Sequence, residues 1–388
     1  MSEPNVVVVG SGVAGAATAF GLARRGATVI VLDAGGSGSA TAAGAGIVQP
    51  WSNAVADGPY YELYAHGAAY YPRLLELLAA AGVRSVDFRR NGSLVVSADP
   101  TVLDMTEARL AARRAAGAPT GVVERLPSAK ARELFPPLAP GLDAVYVPGG
   151  GRVDGRTLRD GLLAGARAYG AVVRTVSCSL VPRGDRVRVR AEDVEFAPDS
   201  VVVAAGAWSN AVLEPLGHQV PVEPQRGQIT HLRLDGVDTR AWPSVLPQSG
   251  HYLVAFDDSR VVAGATRETG SGFDVRLTAV GQREILEEAL RVAPGLANAT
   301  LLETRVGLRP LPVDGVPRLG AVPGARGVYV NAGFGPAGLT MGPVAGDALA
   351  SVVLGRTPVI DLTPFAPSRT RGTTPTDTRP RVRHASDS

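Results

Sequence analysis

Hydrophobic residues at the start of the chain fall into two short runs separated by a helical pattern. An apolar run over residues 6–9 ends at Gly10, and the helical pattern at 16–25 consists of small or apolar residues up to its last two positions, Arg24 and Arg25. A second apolar run over residues 29–33 ends in Asp33. Uniformly apolar runs of this length are typical of strands in a parallel sheet that is covered on both faces. The pattern predicts a strand–helix–strand unit over residues 6–33.

Later in the chain the pattern becomes strand-rich and then returns to the mixed type. Helical periodicity predicts helices at about 60–81, 102–116, 156–170 and 338–354. Apolar runs predict strands at 94–96, 171–176, 200–208 and 327–333, and a hairpin at 187–196. Between residues 220 and 300, short alternating runs such as 228–234, 251–256 and 261–264 predict an antiparallel sheet. We expect an α/β fold, α+β overall, whose first unit is interrupted by insertions that build a second domain.

Glycines at the end of the first strand indicate what this unit binds. Gly10, Gly12 and Gly15 form a Gly-x-Gly-x-x-Gly motif between strand and helix, and Asp33 follows 23 residues after Gly10. The first glycine permits the tight turn, the second lets the backbone approach a pyrophosphate, and the third lets the helix pack closely on the strand. The acid suits ribose hydroxyls, and the helix N-terminus suits phosphates. In this context the motif predicts a bound dinucleotide.

Two further stretches are rich in small residues. Residues 34–47 carry few bulky side chains and could lie against a flat ring system, although a flexible linker is the plainer interpretation of this loop alone. Residues 333–338 join a strand to a helix that begins at Gly338, which offers a second helix N-terminus to negative charge.

Composition narrows the class of protein. A chain of 388 residues with 45% hydrophobic and 19% charged residues is long enough for two domains. The net charge of +3 comes from an arginine-rich tail at 366–388, which we expect to be disordered, so the body gives no indication of nucleic-acid binding. The single cysteine, Cys178, excludes an internal disulfide and fits a reducing compartment. No apolar run reaches membrane-spanning length, and the five histidines lack ligand spacing, so we expect a cytoplasmic protein without a metal site.

Taken in order, the motifs resemble one known family, the FAD-dependent amino-acid oxidases, which includes D-amino-acid oxidase, glycine oxidase, sarcosine oxidase and D-amino-acid dehydrogenase. The matches extend from residue 6 to about residue 355. They are the N-terminal fingerprint, Ala-Gly-Ala-Gly-Ile at 43–47, Gly-Arg-Val-Asp at 151–154, Val-Val-Ala-Ala-Gly-Ala-Trp-Ser at 202–209, Pro-Gln-Arg-Gly-Gln at 224–228, Tyr-Leu-Val at 252–254, Gly-Ala-Thr at 264–266, Gly-Leu-Arg-Pro at 307–310, Asp-Gly at 314–315 and Ala-Gly-Phe-Gly-Pro-Ala-Gly-Leu at 332–339.

The resemblance implies non-covalent FAD in a Rossmann-like domain and a second, substrate domain built on a mainly antiparallel sheet. We expect residues 1–85, 145–218 and 301–362 in the FAD-binding domain, and residues 86–144 and 219–300 in the substrate domain. The cofactor-binding residues that it implies are Gly10, Gly12, Val13, Ala14, Gly15, Asp33, Ala34, Ala40, Thr41, Ala45, Gly46, Ile47, Ala205, Gly206, Trp208, Gly335, Pro336, Ala337, Gly338, Leu339 and Thr340.

The resemblance also implies a reaction, the oxidation of the C–N bond of a small amino acid or amine. Hydride would pass to flavin N5 and leave an imine. Arg309 falls where glycine-oxidase-like members bind the substrate carboxylate, a role for which the forked guanidinium is suited. Tyr252 falls where a tyrosine contacts substrate, with a sheet aromatic as the plainer alternative. The resemblance places the loop at 34–47 against the flavin, and we call it the flavin loop. Gln49 and Trp51 follow this loop and either line the pocket or pack in the core.

Departures from the family pattern leave the substrate and the electron acceptor open. The loop at 334–338 lacks the polar or basic side chain that some relatives carry there, and the closing motif contains no cysteine for covalent flavin. Lys130 is the only lysine and is not expected near the flavin, so the lysine that activates oxygen in sarcosine-oxidase relatives is absent. Either O2 or another acceptor therefore fits. An alternative is a dehydrogenase of a cyclic imino acid or secondary-metabolite amine with a non-oxygen acceptor, and a homo-oligomer also stays open.

Overall fold

The computed structural model describes residues 5–368, so the predicted tail lies outside the described residues from residue 369 onward. Its first sheet contains β1 (Asn5–Val9), β2 (Thr28–Asp33), β9 (Val172–Thr175), β13 (Ser200–Val203), β20 (Arg318–Ala321) and β21 (Val328–Ala332). The strand order is β20–β21–β13–β1–β2–β9, and all neighbours are parallel except β20 and β21. This mainly parallel sheet contains the strand–helix–strand unit that the N-terminal pattern predicts.

Both faces of the sheet are buried at its central strands β1 and β13, which is why these strands are rich in valine. Val6 and Val8 face one hydrophobic core, and Val7 and Val9 face another. Helices cover the first face: α1 (Val13–Ala23), α2 (Pro59–Ala80), α5 (Gly155–Ala168) and α8 (Gly338–Val353). Three strands help to cover the other face, namely β10 (Cys178–Arg183), β11 (Arg186–Ala191) and β12 (Val194–Phe196), where the sequence predicts a simple hairpin.

The second large sheet has nine strands and is mainly antiparallel. Its members are β5 (Ser93–Ser97), β6 (Glu124–Leu126), β7 (Asp143–Val147), β14 (Val222–Arg233), β15 (Ser244–Pro247), β16 (Tyr252–Ala255), β17 (Arg260–Gly264), β18 (Glu268–Thr269) and β19 (Thr300–Pro312). The order is β18–β14–β17–β16–β15–β5–β7–β6, with β19 also paired to β14, and only β15–β5 is parallel. The helices α3 (Pro100–Ala115), α4 (Ser128–Leu134) and α7 (Ala279–Val292) pack against this part.

Two details of this sheet differ from the sequence-based prediction. Strand β19 pairs with β14 over its whole length, whereas we expected the chain from residue 301 onward to belong to the FAD-binding domain. Helix α7 lies within the stretch 220–300, where only strands were predicted. The pairing of β14 with β19 is a long-range contact that local periodicity does not record. Helix α7 does have local signals, since Ile285, Ala289 and Val292 are buried at helical spacing and Thr278 caps its start, but the prediction overlooked them.

A small sheet joins the two large ones. It consists of β3 (Ile47–Val48), β8 (Gly151–Val153) and β4 (Phe88–Arg89), in the order β3–β8–β4. The remaining helical turns are α6 (Ser209–Leu213) and five short 3-10 turns at Gly206–Trp208, Glu214–Leu216, Pro294–Leu296, Gly335–Ala337 and Thr363–Phe365. Over residues 5–368, no helix is both long and apolar enough to cross a membrane.

Candidate active site

A large cleft opens where several strands of the first sheet end. The carboxyl ends of β1, β2, β13 and β21 lie side by side at this edge, which is where ligands bind in open α/β sheets. The cleft has a volume of about 2020 Å³ and continues beneath β16 and β19 of the second sheet. A typical small-molecule pocket measures roughly 300–1,000 Å³. The cleft therefore has room for a dinucleotide together with a substrate.

The glycine motif forms a cradle into which larger residues would not fit. A Cβ atom on Gly10 would lie 2.5 Å from the carbonyl oxygen of Ala204, and Gly10 also has a positive φ of 102°. A Cβ atom on Gly15 would lie 1.9 Å from the carbonyl oxygen of Gly10. Gly10, Gly12, Val13 and Ala14 line the cleft, whereas Gly15 lies behind them and sets how closely α1 approaches β1. The cradle fits a pyrophosphate.

Asp33 stands at the end of β2 with its carboxylate held by backbone donors. The Ser11 N–H donates to Oδ2 at 2.6 Å, and the Gly35 N–H donates to Oδ1 at 2.8 Å. Burial alone would raise the pKa of this carboxyl, but these N–H groups outweigh it and lower the pKa. Asp33 is thus ionised and fixed, with remaining lone pairs for ribose hydroxyls. Cys178 also lines this part of the cleft, so it lies at the Asp33 end, away from the closing motif.

The loop of small residues after Asp33 is tied to both neighbouring helices rather than free. The Val13 N–H donates to the Thr41 hydroxyl at 3.0 Å, so this N–H of the α1 N-terminus binds the loop instead of an external anion. Gly46 has φ of 84°, and a Cβ there would lie 1.8 Å from the carbonyl oxygen of Val153. The plain linker interpretation is therefore wrong. The loop residues that line the cleft include Ala34, Ala40, Thr41, Ala45, Gly46 and Ile47.

The start of α8 forms the opposite wall. The Tyr71 hydroxyl donates to the Leu339 carbonyl at 2.6 Å, and the Thr340 hydroxyl donates to the Ile47 carbonyl at 3.0 Å. These bonds fix the helix start against α2 and the flavin loop. Thr340 is among the buried residues and does not line the cleft. The residues of this turn that do line it are Gly335, Pro336, Ala337, Gly338 and Leu339.

After β13, the predicted residues Ala205, Gly206 and Trp208 line the third side. The ring of Trp208 packs on the ring of Phe273, with centroids 5.6 Å apart. The segment that carries Phe273 passes over the loop after β2, because a Cβ on Gly38 would lie 2.6 Å from Val275. This aromatic pair therefore forms part of the cleft wall.

Arg309 lies in β19, directly opposite Gln225 in β14. Its guanidinium donates to the Thr266 carbonyl at 2.9 Å and to the Gln225 side-chain oxygen at 3.4 Å. It rests on Gly227, where a Cβ atom would come within 2.4 Å of Nη2. The strand register and the missing side chain at Gly227 together hold the guanidinium flat on the sheet and facing the cleft.

Tyr252 lies in β16 and its half-buried ring covers Gly264 of the next strand. Burial raises the pKa of its hydroxyl, and the neighbouring Arg309 and Arg267 guanidinium groups limit the rise because they stabilise the phenolate. At neutral pH the phenol therefore keeps its proton and can donate a hydrogen bond. The structure thus brings Arg309 and Tyr252 together, on strands that are 57 residues apart in sequence.

Arg267 and Phe273 are cleft residues that the sequence analysis missed. Arg267 follows the Gly-Ala-Thr motif and donates to the Gly250 carbonyl at 2.6 Å. Its position directly after that motif could have identified it as a site residue. Arginine is so frequent in this chain, however, that a single arginine is weak evidence for a site. Gln49 lines the cleft, whereas Trp51 is 1% exposed and packs in the core.

Comparisons with known proteins agree with this geometry. The family model for FAD-dependent oxidoreductases (DAO) matches residues 5–352. The crystal structure of iminodiacetate oxidase from Chelativorans sp. BNC1 is similar, with a TM-score of 0.91 and 46% identity, covering 93% of this chain and 98% of that one. The uncharacterized oxidoreductase YurR of Bacillus subtilis is 42% identical over 93% of this chain and 98% of its own length. Glycine oxidase of Pseudomonas putida is 32% identical over 93% of this chain and 98% of its own length.

The family match covers most of the chain, and the cradle, the fixed Asp33 and the extended cleft suit its cofactor. The chain therefore belongs to the DAO family of FAD-dependent oxidoreductases, and it is an FAD enzyme of the group that oxidises amino acids and amines.

Proposed function

We propose that the substrate is a secondary amine that carries two carboxylates, of the iminodiacetate type. The observation that carries this proposal is the presence of two arginines, Arg309 and Arg267, that both line the cleft and both lie close enough to Tyr252 to affect its pKa. A glycine-sized substrate needs one cationic partner for its single carboxylate. A second guanidinium in the same cleft matches a second carboxylate. The 46% identity to an iminodiacetate oxidase supports the same substrate class.

In this proposal Arg309 binds the carboxylate next to the reacting carbon. Its contacts with Thr266 and Gln225 hold one edge of the guanidinium, so the carboxylate meets a pre-oriented cation. Tyr252, protonated at neutral pH, donates a hydrogen bond to the same carboxylate. Arg267 binds the distal carboxylate and thereby fixes the direction of the chain between them. Orientation rather than proton abstraction is the contribution of these side chains.

The glycine cradle and Asp33 would hold FAD, which would supply the acceptor for a hydride from the α-carbon. The substrate enters with a neutral amine and leaves as an imine, which water hydrolyses to a primary amino acid and an oxo acid. The turn at 334–338 offers backbone groups only, so it shapes the pocket without adding a side-chain base. We include O2 as the acceptor and a cytoplasmic location in the proposal, the latter because a single cysteine suits a reducing compartment.

The test is an anaerobic titration of the holoenzyme with iminodiacetate, sarcosine and glycine, followed by air. We expect iminodiacetate to bleach the flavin band at the lowest concentration and air to restore it. Arg309→Gln should weaken binding of all three by on the order of a hundredfold, since it leaves a desolvated carboxylate unpaired. Arg267→Gln should weaken iminodiacetate about tenfold and leave sarcosine unchanged.

A matched control is Arg326→Gln, which removes an arginine from an exposed pair with Asp185 and should change nothing. Equal affinity for sarcosine and iminodiacetate, unaltered by Arg267→Gln, would contradict the dicarboxylate proposal. A flavin band that stays bleached in air would exclude O2 as acceptor and favour a dehydrogenase.

A further inference from the structure

A partly buried carboxylate lies next to Arg267 in the chain and is held by several hydrogen bonds. Glu268 begins β18, next to Arg267, and its carboxylate accepts hydrogen bonds from the Arg226 guanidinium at 2.6 and 2.8 Å. Arg226 is only 8% exposed and also pairs with Asp274 at 2.7 Å. Arg226 belongs to the Pro-Gln-Arg-Gly-Gln motif, in which Gln225 and Gly227 contact Arg309 but Arg226 has no part in the cofactor and substrate contacts described above.

The other oxygen of Glu268 is equally occupied. The Gln228 side-chain amide and the Thr266 hydroxyl both donate to Oε1, each at 2.7 Å. The Gln228 backbone N–H in turn donates to the Thr266 hydroxyl at 3.0 Å. These donors lower the pKa of Glu268 despite its partial burial, so the carboxylate is ionised. Every strong contact of Glu268 therefore fixes the backbone on either side of Arg267.

The contacts of Glu268 extend to Arg309 through one carbonyl group. Thr266 donates to Glu268 with its hydroxyl, and its carbonyl accepts from Arg309 at 2.9 Å. Arg267 lies between these two residues in the chain. One carboxylate thus sets the backbone position of Arg267 and the acceptor that orients Arg309.

We propose that Glu268, held by Arg226 and Gln228, is a positioning residue that sets the spacing of the two carboxylate-binding arginines and hence the preference for dicarboxylates. This inference rests on the proposed function. Glu268 touches neither substrate nor FAD in it. Loss of its charge should displace Arg267 most, because Arg267 is the adjacent residue in the chain and shares its backbone with Glu268. Arg309 retains its contact with Gln225 and should be affected less.

The experiment uses unreactive probes and an equilibrium readout. Glutarate is iminodiacetate with a CH2 group in place of the NH group, and butyrate is its counterpart with one carboxylate. Each is titrated into the oxidised holoenzyme, and the Kd is read from the perturbation of the flavin spectrum. The quantity of interest is the ratio of the butyrate Kd to the glutarate Kd, because a general loss of stability would not change this ratio selectively.

We expect a wild-type ratio of about ten or more, and a ratio close to one in both Arg267→Gln and Glu268→Gln. In the double variant Glu268→Gln/Arg267→Gln the ratio should fall no further, since Glu268 acts through Arg267. The matched control is Glu303→Gln, which neutralises a more exposed carboxylate paired with Arg305 in the same sheet. It should keep the wild-type ratio.

The outcomes separate the two proposals. If Arg267→Gln keeps the wild-type ratio, the second carboxylate contact of the proposed function is wrong. If Arg267→Gln abolishes the preference and Glu268→Gln does not, the function stands and the positioning role of Glu268 is overturned. If Glu268→Gln does not retain FAD, Thr266→Val takes its place, because it removes one donor to Glu268 while keeping the carbonyl that binds Arg309. A wild-type ratio in that variant would equally overturn the role.

Discussion

The cofactor side and the substrate side of the cleft are constructed from different materials. The cofactor side consists largely of backbone and small residues, such as Gly10, Gly15 and the loop after Asp33. The substrate side consists of charged and aromatic side chains on strands that meet across long stretches of sequence, as Arg309 and Gln225 do across 84 residues. A backbone cradle tolerates no added atoms, whereas a side-chain site tolerates them but depends on strand register.

This difference predicts unequal sensitivity to the smallest substitutions. A cradle that fits through missing Cβ atoms should fail when one methyl group is added, because the obstructing atoms belong to the backbone and cannot rotate away. A site built from paired charges should instead lose function when one charge is removed and its partner is left unpaired.

The largest effect is expected for Gly15→Ala. The new methyl carbon would lie 1.9 Å from the Gly10 carbonyl oxygen, so α1 must move away from the turn that cradles the pyrophosphate. We expect the Kd for FAD to rise on the order of a hundredfold or more, measured by the FAD content of the purified protein and by FAD titration of the apoprotein. Gly36→Ala is the control, since nothing lies within 4 Å of its new methyl group. Full FAD content in Gly15→Ala would refute the backbone-cradle argument.

The same difference between the cofactor side and the substrate side explains which features could be predicted from the sequence. The strand–helix–strand unit was predicted correctly, because its signal is local: apolar runs, glycines at fixed spacing and a terminal acid. The helix α8 was predicted almost to the residue for the same reason. The anchoring of the following loop by Thr41 was missed, because a hydroxyl that accepts from Val13 leaves no pattern in the sequence.

The substrate side was predicted only where a resemblance singled out a residue. Arg309 and Tyr252 were named in this way, and the structure brings them together in one cleft. Arg267 and Glu268 were missed because their importance arises from the pairing of β14 with β18 and β19. The sequence contains 38 arginines, so composition alone could not distinguish a guanidinium in the cleft from one on the surface.

A second prediction concerns Arg152. It is a charged residue near the cofactor side, which otherwise consists largely of backbone and small residues. It is 0% exposed, pairs with Asp87 at 2.7 Å and with Asp257, and stacks on Phe256 with 4.4 Å between guanidinium carbon and ring centroid. It therefore links β8, which supports the flavin loop, to the end of β16. Arg152→Met should lower the free energy of unfolding by about 2 kcal/mol, because Asp87 loses its buried cation and Asp257 keeps only its pair with Arg89.

Chemical denaturation of the holoenzyme measures this loss. The control is Arg89→Met, which removes an exposed cation from the same Asp257 and should cost less than about 1 kcal/mol. Equal losses of stability in the two variants would mean that the buried ion pairs of Arg152 contribute no more than the exposed pair of Arg89.

The smallest expected effect is a pH dependence of stability in the sheet of the substrate side, where charge rather than space determines which side chains fit. His231 in β14 is 1% exposed, and burial, together with Arg305 and Arg260, lowers its pKa to about 3. In the unfolded chain the pKa of His231 is near 6.5, whereas the folded state requires a neutral imidazole. The stability that depends on this neutral imidazole is therefore complete above pH 6.5 and is lost as the pH falls toward 3. Between these values His231 should change the free energy of unfolding by about 1.4 kcal/mol per pH unit. Other groups titrate in the same range, so the measurement is the difference in denaturation free energy between wild type and His231→Gln from pH 7.5 to 5.5, over which the expected shift is about 1.4 kcal/mol. We expect this difference to shift steadily in favour of the variant on acidification, and parallel curves would show that the imidazole is protonated within the fold at no cost.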